Sequence, residues 1–251
     1  MNNLKGKTAV VTGGNSGIGY ATAQQLIRQV AKVLITGRKH DQVMEAAKNL
    51  NAIGVASDQS DLSQITKLVK KASEDFGRVD ILFINAGSFA LVPFDHVTEE
   101  FYDDFLDANL KGVFFTLQKF LPILNDNASV ILMSAGGTKA SGAVGSSVYY
   151  ITKAAINSMV RSLAIELAPR GIRINAVLPA AIDTPIFSKF GLPEEALPNL
   201  MNSLKDAIPL KKIGAASDVA SLVVFLASDG SSFITASEYV IDGGLAVKPI
   251  F

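Results

Sequence analysis

Short apolar runs alternate along this chain with stretches in which apolar residues recur every three or four positions. Thr8-Ala9-Val10-Val11-Thr12 is the first such run, and its unbroken apolar centre is the pattern of a strand buried on both faces of a parallel sheet. Lys32–Thr36, Ile53–Ser57, Ile81–Asn85, Ser129–Ser134, Arg173–Leu178 and Glu238–Ile241 read as six more strands. Helical spacing sets Ala21, Ala23, Leu26 and Ile27 along one side of Tyr20–Val30. Further helices are predicted over Gln42–Leu50, Leu62–Phe76, Thr98–Leu121, Tyr149–Ala168 and Val219–Leu226. Strands alternating with helices imply a doubly wound, Rossmann-like α/β fold: a seven-stranded parallel sheet with right-handed crossovers and helices on both faces. One domain is expected over residues 1–251. Residues 185–212 interrupt the alternation with prolines and a spaced apolar set, Ile186, Phe187, Phe190, Leu192, Leu197, Leu200, Met201 and Leu204, and read as a substrate lid.

Composition narrows the chemistry. At 49% hydrophobic residues over 251 positions there is ample material for a core. Lys and Arg number 23 and so do Asp and Glu, so no net field recommends nucleic acid or an anionic membrane as a partner. A small molecule is the expected ligand. The absence of cysteine removes disulfides, thiolate nucleophiles and zinc–thiolate sites, and two histidines, His40 and His96, leave little for a metal; none is expected. The N-terminal residues run into the first strand without a signal-like apolar stretch, and no run approaches the ~18 apolar residues of a membrane span. A cytoplasmic location is the expectation.

Candidate chemistry collects where strands end. Thr12-Gly13-Gly14-Asn15-Ser16-Gly17-Ile18-Gly19 joins the first strand to the first helix, the context of a phosphate-binding turn: glycines admit a pyrophosphate to the backbone, and N–H groups at the helix start hold its charge. After the second strand the chain reads Gly37-Arg38-Lys39, with no acid before Asp41. A carboxylate there would accept ribose hydroxyls, whereas the Arg38 guanidinium can donate two hydrogen bonds to a 2′-phosphate, so NADP(H) is favoured over NAD(H). Asp58 and Asn85-Ala86-Gly87 fall at two further strand ends, and Asn109 is polar within an otherwise apolar helical stripe. In Tyr149-Tyr150-Ile151-Thr152-Lys153 a phenol and an ammonium share a helical face; spacing alone does not choose between Tyr149 and Tyr150.

In their order and spacing these motifs resemble the short-chain dehydrogenase/reductase family over nearly the whole chain. The resemblance implies that Gly13, Asn15, Ser16, Gly17, Ile18 and Gly19 form the cofactor turn, that Asp58 contacts the adenine, and that Asn85, Ala86 and Gly87 form the family's Asn-Ala-Gly turn. The nicotinamide-side loop falls on Pro179, Ile182 and Thr184, and the closing Asp-Gly-Gly on Asp242 to Gly244. It selects Tyr149 as the proton donor and Lys153 as the group that binds the nicotinamide ribose and lowers the tyrosine pKa. Asn109 would order a water relaying protons to Lys153. It further implies hydride transfer between a nicotinamide and a carbonyl or secondary alcohol, and a homo-oligomer, tetramer or dimer, built through the long helices.

Three departures stand out. The family serine lies thirteen residues before the tyrosine, where this chain has Gly136; Ser134 occupies the strand end and is assigned the role, with Thr138 and Ser141 as other candidates. Pro179-Ala180 replaces Pro-Gly, which requires position 180 to avoid positive φ. Val30 stands where the family carries glycine, so the turn before the second strand is expected to be rebuilt. Phe89, Leu91, Val92 and the lid, whose only cation over Pro185–Leu204 is Lys189, point to an uncharged, fairly hydrophobic ketone, aldehyde or oxo-ester. The alternatives are alcohol oxidation by the same site and a catalytically weak nucleotide-binding regulator on the same fold.

Overall fold

The computed structural model describes residues 4–139, 143–190 and 194–247, with the side chains of residues 188–190 and 194 left aside. Seven strands form one sheet in which every pairing is parallel. In chain order the elements begin β1 (Thr8–Thr12), α1 (Gly17–Arg28), β2 (Lys32–Gly37), α2 (His40–Leu50), β3 (Ile53–Ala56), α3 (Leu62–Phe76) and β4 (Val79–Ile84). They continue with α4 (Glu99–Leu106), α5 (Gly112–Phe120), β5 (Leu124–Met133), α6 (Ser147–Leu167) and β6 (Arg173–Pro179). The C-terminal part holds β7 (Ile182–Asp183), α7 (Leu197–Ala207), β8 (Gly214–Ala215), α8 (Ala216–Ala227) and β9 (Glu238–Ile241). The order across the sheet is β3-β2-β1-β4-β5-β6-β9, so the winding reverses between β1 and β4.

Alternate residues of each strand feed two cores, one per face. Val11, Ile35, Phe83, Ile131 and Val177 pack with α1, α2 and α8. Val10, Leu34, Leu82, Leu132 and Ile174 pack with α3, α5 and α6 on the other face. A fully buried Leu or Ile side chain contributes about 1.5–3 kcal/mol, which is why unbroken apolar strands end up in the middle of this sheet.

Two expectations need correction. The predicted helix Thr98–Leu121 is divided: α4 and α5 are separated by a π-helical turn, Asp107–Lys111, centred on Asn109. Gly112 explains where it forms, because a Cβ there would lie 2.0 Å from the Gln59 carbonyl oxygen; only glycine lets the helix press so closely on the loop after β3. The turn before β2 is not rebuilt either. Val30 itself adopts φ 68°, while its N–H donates to Ile27 and that of Ala31 to Leu26, closing α1 by the pattern that usually calls for glycine. Ala180, by contrast, does not take a positive φ, so the missing glycine there carries no such strain.

The excursion after β6 returns to its own start. Ile182 and Asp183 of β7 pair in parallel with Gly214 and Ala215 of β8, a two-residue ladder with no signature in the apolar pattern. Between them, Leu197, Leu200, Met201 and Leu204 of α7 are half-buried while Asn199, Asn202, Ser203 and Lys205 face outward. Phe187 is buried. Leu192, and the side chains of Lys189 and Phe190, lie outside the described residues.

Candidate active site

The carboxyl ends of β1 and β4 flank the point where the winding reverses, and the predicted cofactor residues converge there. Gly13 has φ 64° and Gly17 φ 52°. A Cβ on Gly19 would lie 2.1 Å from the Gly13 carbonyl oxygen, and one on Gly13 would lie 2.9 Å from the Asn85 side-chain nitrogen. The turn is therefore folded on itself and on the Asn-Ala-Gly segment more tightly than any side chain would permit. Asn85 Nδ2 donates to the carbonyls of Thr12 (3.0 Å) and Gly13 (3.2 Å), and the N–H groups of Asn85 and Ala86 donate to Thr12 Oγ1. Ser16 is the N-cap of α1, yet its exposed hydroxyl does not bond the helix, and no acidic residue lies in the first turn. The N–H groups of this twelve-residue helix thus face an exposed hydroxyl and a glycine cradle, which fits a pyrophosphate.

At the end of β2, Asn15 lies across Gly37, whose Cβ would meet Asn15 Oδ1 at 2.3 Å. The exposed Arg38 and Lys39 make no ion pair with any described carboxylate, because Asp41 is engaged by His40 at 3.1 Å. Asp58 accepts from Ser60 N and Oγ on one oxygen and leaves the other unbonded among the described residues. Thr184 closes the opposite side: its Cβ is 3.4 Å from where a Gly17 Cβ would stand. Ile182 beside it is buried, and Pro179 ends β6 in register with Ile241. The Ile18 side chain packs against the sheet core, in the first turn of α1.

Tyr149 and Lys153 lie on one face of α6. The Lys153 ammonium is 4% exposed, sits 5.6 Å from the Tyr149 ring centroid, and donates to the Met133 carbonyl at 2.9 Å. Burial lowers its pKa to about 8. The expected lowering of the tyrosine pKa is not what this geometry produces: burial first, and the neighbouring Tyr150 phenol second, hold Tyr149 well above the ordinary phenol range. Phe89 (5.1 Å, edge-on) and Phe105 (6.3 Å) form apolar walls against the ring, which is half-buried. Asn109 is fully buried, its amide bonded both ways to the backbone of Ser88, and its Oδ1 would lie 2.7 Å from a Gly87 Cβ.

Neither of the described candidates for the family serine presents a free hydroxyl. Ser134, 2% exposed, donates its proton to the Lys153 carbonyl at 3.0 Å. Thr138 donates to the Ala135 carbonyl and accepts from Asn157 Nδ2. Ser141 lies outside the described residues. Sequence reasoning also missed Gln59, a buried side chain that donates to the carbonyls of Ala86 (2.8 Å) and Ala108 (3.0 Å) and accepts from Thr12, fastening the Asn-Ala-Gly turn to the π turn. Its only signal was an amide directly after the strand-end Asp58.

A glycine cradle at the switch point of a doubly wound sheet, with a half-buried tyrosine over a buried lysine alongside, defines a nicotinamide-dependent oxidoreductase. The family described as enoyl-(acyl carrier protein) reductase matches residues 13–246. The oxidoreductase asL5 of Sarocladium schorii is 38% identical over 246 residues, 97% of each chain, and the NADP-dependent (R)-specific alcohol dehydrogenase of Lentilactobacillus kefiri is 36% identical over 98% of each. A short-chain dehydrogenase of Burkholderia cenocepacia, solved in complex with NADP, superposes with TM-score 0.89 at 30% identity, covering 97% of this chain and 99% of that one. The chain belongs to the short-chain dehydrogenase/reductase family. Among the described residues no helix is long and apolar enough to cross a membrane, and no group of His, Cys, Asp and Glu could hold a metal.

Proposed function

We propose that this enzyme is an NADPH-dependent reductase of neutral, fairly hydrophobic carbonyl compounds. The observation that carries the reading is the Tyr149–Lys153 pair, walled by Phe89 and Phe105, at the mouth of a glycine cradle with an unpaired Arg38 at its far end. The nicotinamide, when bound, supplies the hydride. Asn15, Ser16 and the N–H groups of α1 would hold the pyrophosphate, Arg38 the 2′-phosphate, Asp58 the adenine, and Asn85 to Gly87 with Pro179, Ile182 and Thr184 the nicotinamide half. Tyr149 keeps its proton throughout the neutral range and is placed to give it to the substrate oxygen. A phenol held above its ordinary pKa suits the donor's part, and the same group takes the proton back when the site runs in the oxidising direction. Lys153 brings positive charge beside the phenolate as it forms, so its effect on the tyrosine belongs to the reacting state. Asn109, fixed by Ser88, would order the water through which Lys153 is reprotonated.

The apolar faces of Phe89 and Phe105 and the inward stripe of α7 support a neutral substrate, and the NADP named for the L. kefiri and B. cenocepacia relatives supports the cofactor. The test is to follow NADPH and NADH oxidation against neutral and carboxylated carbonyls. Tyr149→Phe should lower kcat by about 10²- to 10⁴-fold with NADPH affinity retained. Arg38→Ala should weaken NADPH roughly 10- to 100-fold and leave NADH nearly unchanged. Equal rates with both cofactors in the unmodified enzyme would overturn the cofactor assignment, and a strict preference for carboxylated substrates would overturn the substrate class.

A further inference from the structure

We infer that Tyr150 is a second catalytic hydroxyl, donating a hydrogen bond to the substrate oxygen opposite Tyr149 in place of the family serine. This rests on the reductase reading above. Three observations carry it. First, none of the described serine candidates has a proton to spare: position 136 is glycine, Ser134 is buried on the Lys153 carbonyl, and Thr138 is bonded as donor and acceptor. Second, the Tyr150 phenol lies beside Tyr149 and against Gly137, one residue beyond the glycine that stands at the family serine position. Its ring lies 5.3 Å from that of Tyr149, and a Cβ on Gly137 would meet its Cζ at 2.1 Å and its hydroxyl oxygen at 2.2 Å. The neighbouring Gly136 in turn faces the Pro179 carbonyl and Ala180, at 3.2 and 3.3 Å from a Cβ placed there. The phenol tip therefore rests on Gly137, next to the glycine that faces the loop after β6. Third, Tyr150 is half-buried and its hydroxyl makes no hydrogen bond with any described residue, which leaves its proton for a ligand.

The chemistry is adequate. As hydride reaches the carbonyl carbon, negative charge grows on the oxygen; Tyr149 transfers its proton to that atom, and a neutral Tyr150 keeps its own while donating a hydrogen bond that strengthens as the charge grows. A phenol is a better donor than an aliphatic alcohol, and the length of the tyrosine side chain compensates for a loop that carries no serine at position 136.

The test compares Tyr150→Phe with Ser134→Ala under the NADPH-linked assay, using a neutral aryl ketone and a neutral 3-oxo-ester. Tyr150→Phe is expected to lower kcat by about 10- to 100-fold, with KM within roughly threefold, as for loss of one donor to a developing oxyanion. NADPH affinity and thermal midpoint should stay at their unmodified values, because the ring and its packing remain. Gly137→Ala, which pushes the phenol off its seat while keeping the hydroxyl, should reproduce the loss. Unimpaired turnover in Tyr150→Phe, a change in KM alone, or a loss confined to Ser134→Ala would each overturn the inference while leaving the reductase reading standing. Absence of turnover by the unmodified enzyme with either cofactor would instead remove both.

Discussion

Lys153 shows how one side chain can be costly to the fold and, on the function proposed above, necessary to the chemistry. Its ammonium is enclosed with one backbone carbonyl as its hydrogen-bond partner, and burial alone moves its pKa from 10.5 to about 8. The sign of the linkage follows. Below about pH 8 the group is charged in both folded and unfolded chains, and the penalty is fully present. Between that value and 10.5 the folded chain gives up its proton first, so this residue adds stability as pH rises. Lys153→Met should therefore stabilise the cofactor-free protein at pH 7 by on the order of 1–2 kcal/mol, after allowing for the unbonded Met133 carbonyl. It should also flatten the rise between pH 8 and 10.5 and abolish turnover. Denaturant melts across that range give the first two results, and the NADPH assay the third. That a tyrosine faces Lys153 could be read from helical spacing, and the family resemblance singled out Tyr149, whereas the packing around the pair could not be read: it depends on Phe89 and Phe105, which come from elsewhere in the chain.

At the scale of elements, the ends of α1 and α3 form an instructive pair. Helix α3 was readable to the residue because its signals are local: Asp61 accepts from the N–H groups of Ser63 and Gln64, and Gly77 ends the helix at φ 69°. Helix α1 also ends on a positive φ, by a different hydrogen-bond pattern and at a valine instead of a glycine. An unfavourable residue led to the expectation of a different turn, but the packing of α1 on β2 and α8 holds the turn and leaves Val30 to bear the strain. Val30 is 60% exposed, so little burial offsets it. Val30→Gly should raise stability by roughly 0.5–1 kcal/mol, the left-handed penalty less the extra freedom glycine gains on unfolding, or about 2 °C in Tm. Scanning calorimetry of the two proteins checks it; a lower Tm would show that Val30 is not strained. The π turn escaped prediction for a different reason. Its cause, the contact of Gly112 with Gln59, joins residues far apart in sequence, and helical periodicity says nothing of such a contact.

For the whole molecule, the open question is what covers the outer faces of α4, α5 and α6. A groove between them is lined by Leu106, Leu110, Phe114, Phe115, Met159 and Leu163, with Phe114 and Ile151 partly and Ile165 largely exposed. Exposed apolar surface of this kind marks an interface. We propose that a second copy of the chain covers it, giving the dimer or tetramer expected of the family. Phe114→Glu should shift the mass measured by light scattering toward a smaller species at micromolar concentration, with the secondary structure unchanged. An unaltered mass would place the interface elsewhere.

The two-residue clasp of β7 and β8 has a consequence for how such an enzyme can change. Because Ile182–Asp183 and Gly214–Ala215 are bonded to each other, the excursion between them leaves and re-enters the framework at nearly one point. It behaves as an interchangeable part: its length and sequence can drift, or be exchanged with a relative's, without shifting the register of β6 or β9 and without moving Tyr149 and Lys153, which stand on a different helix. On the function proposed above, selection on what the enzyme accepts would thereby be separated from selection on what it does to it. One scaffold could then take up different substrates while its proton and hydride machinery stays fixed.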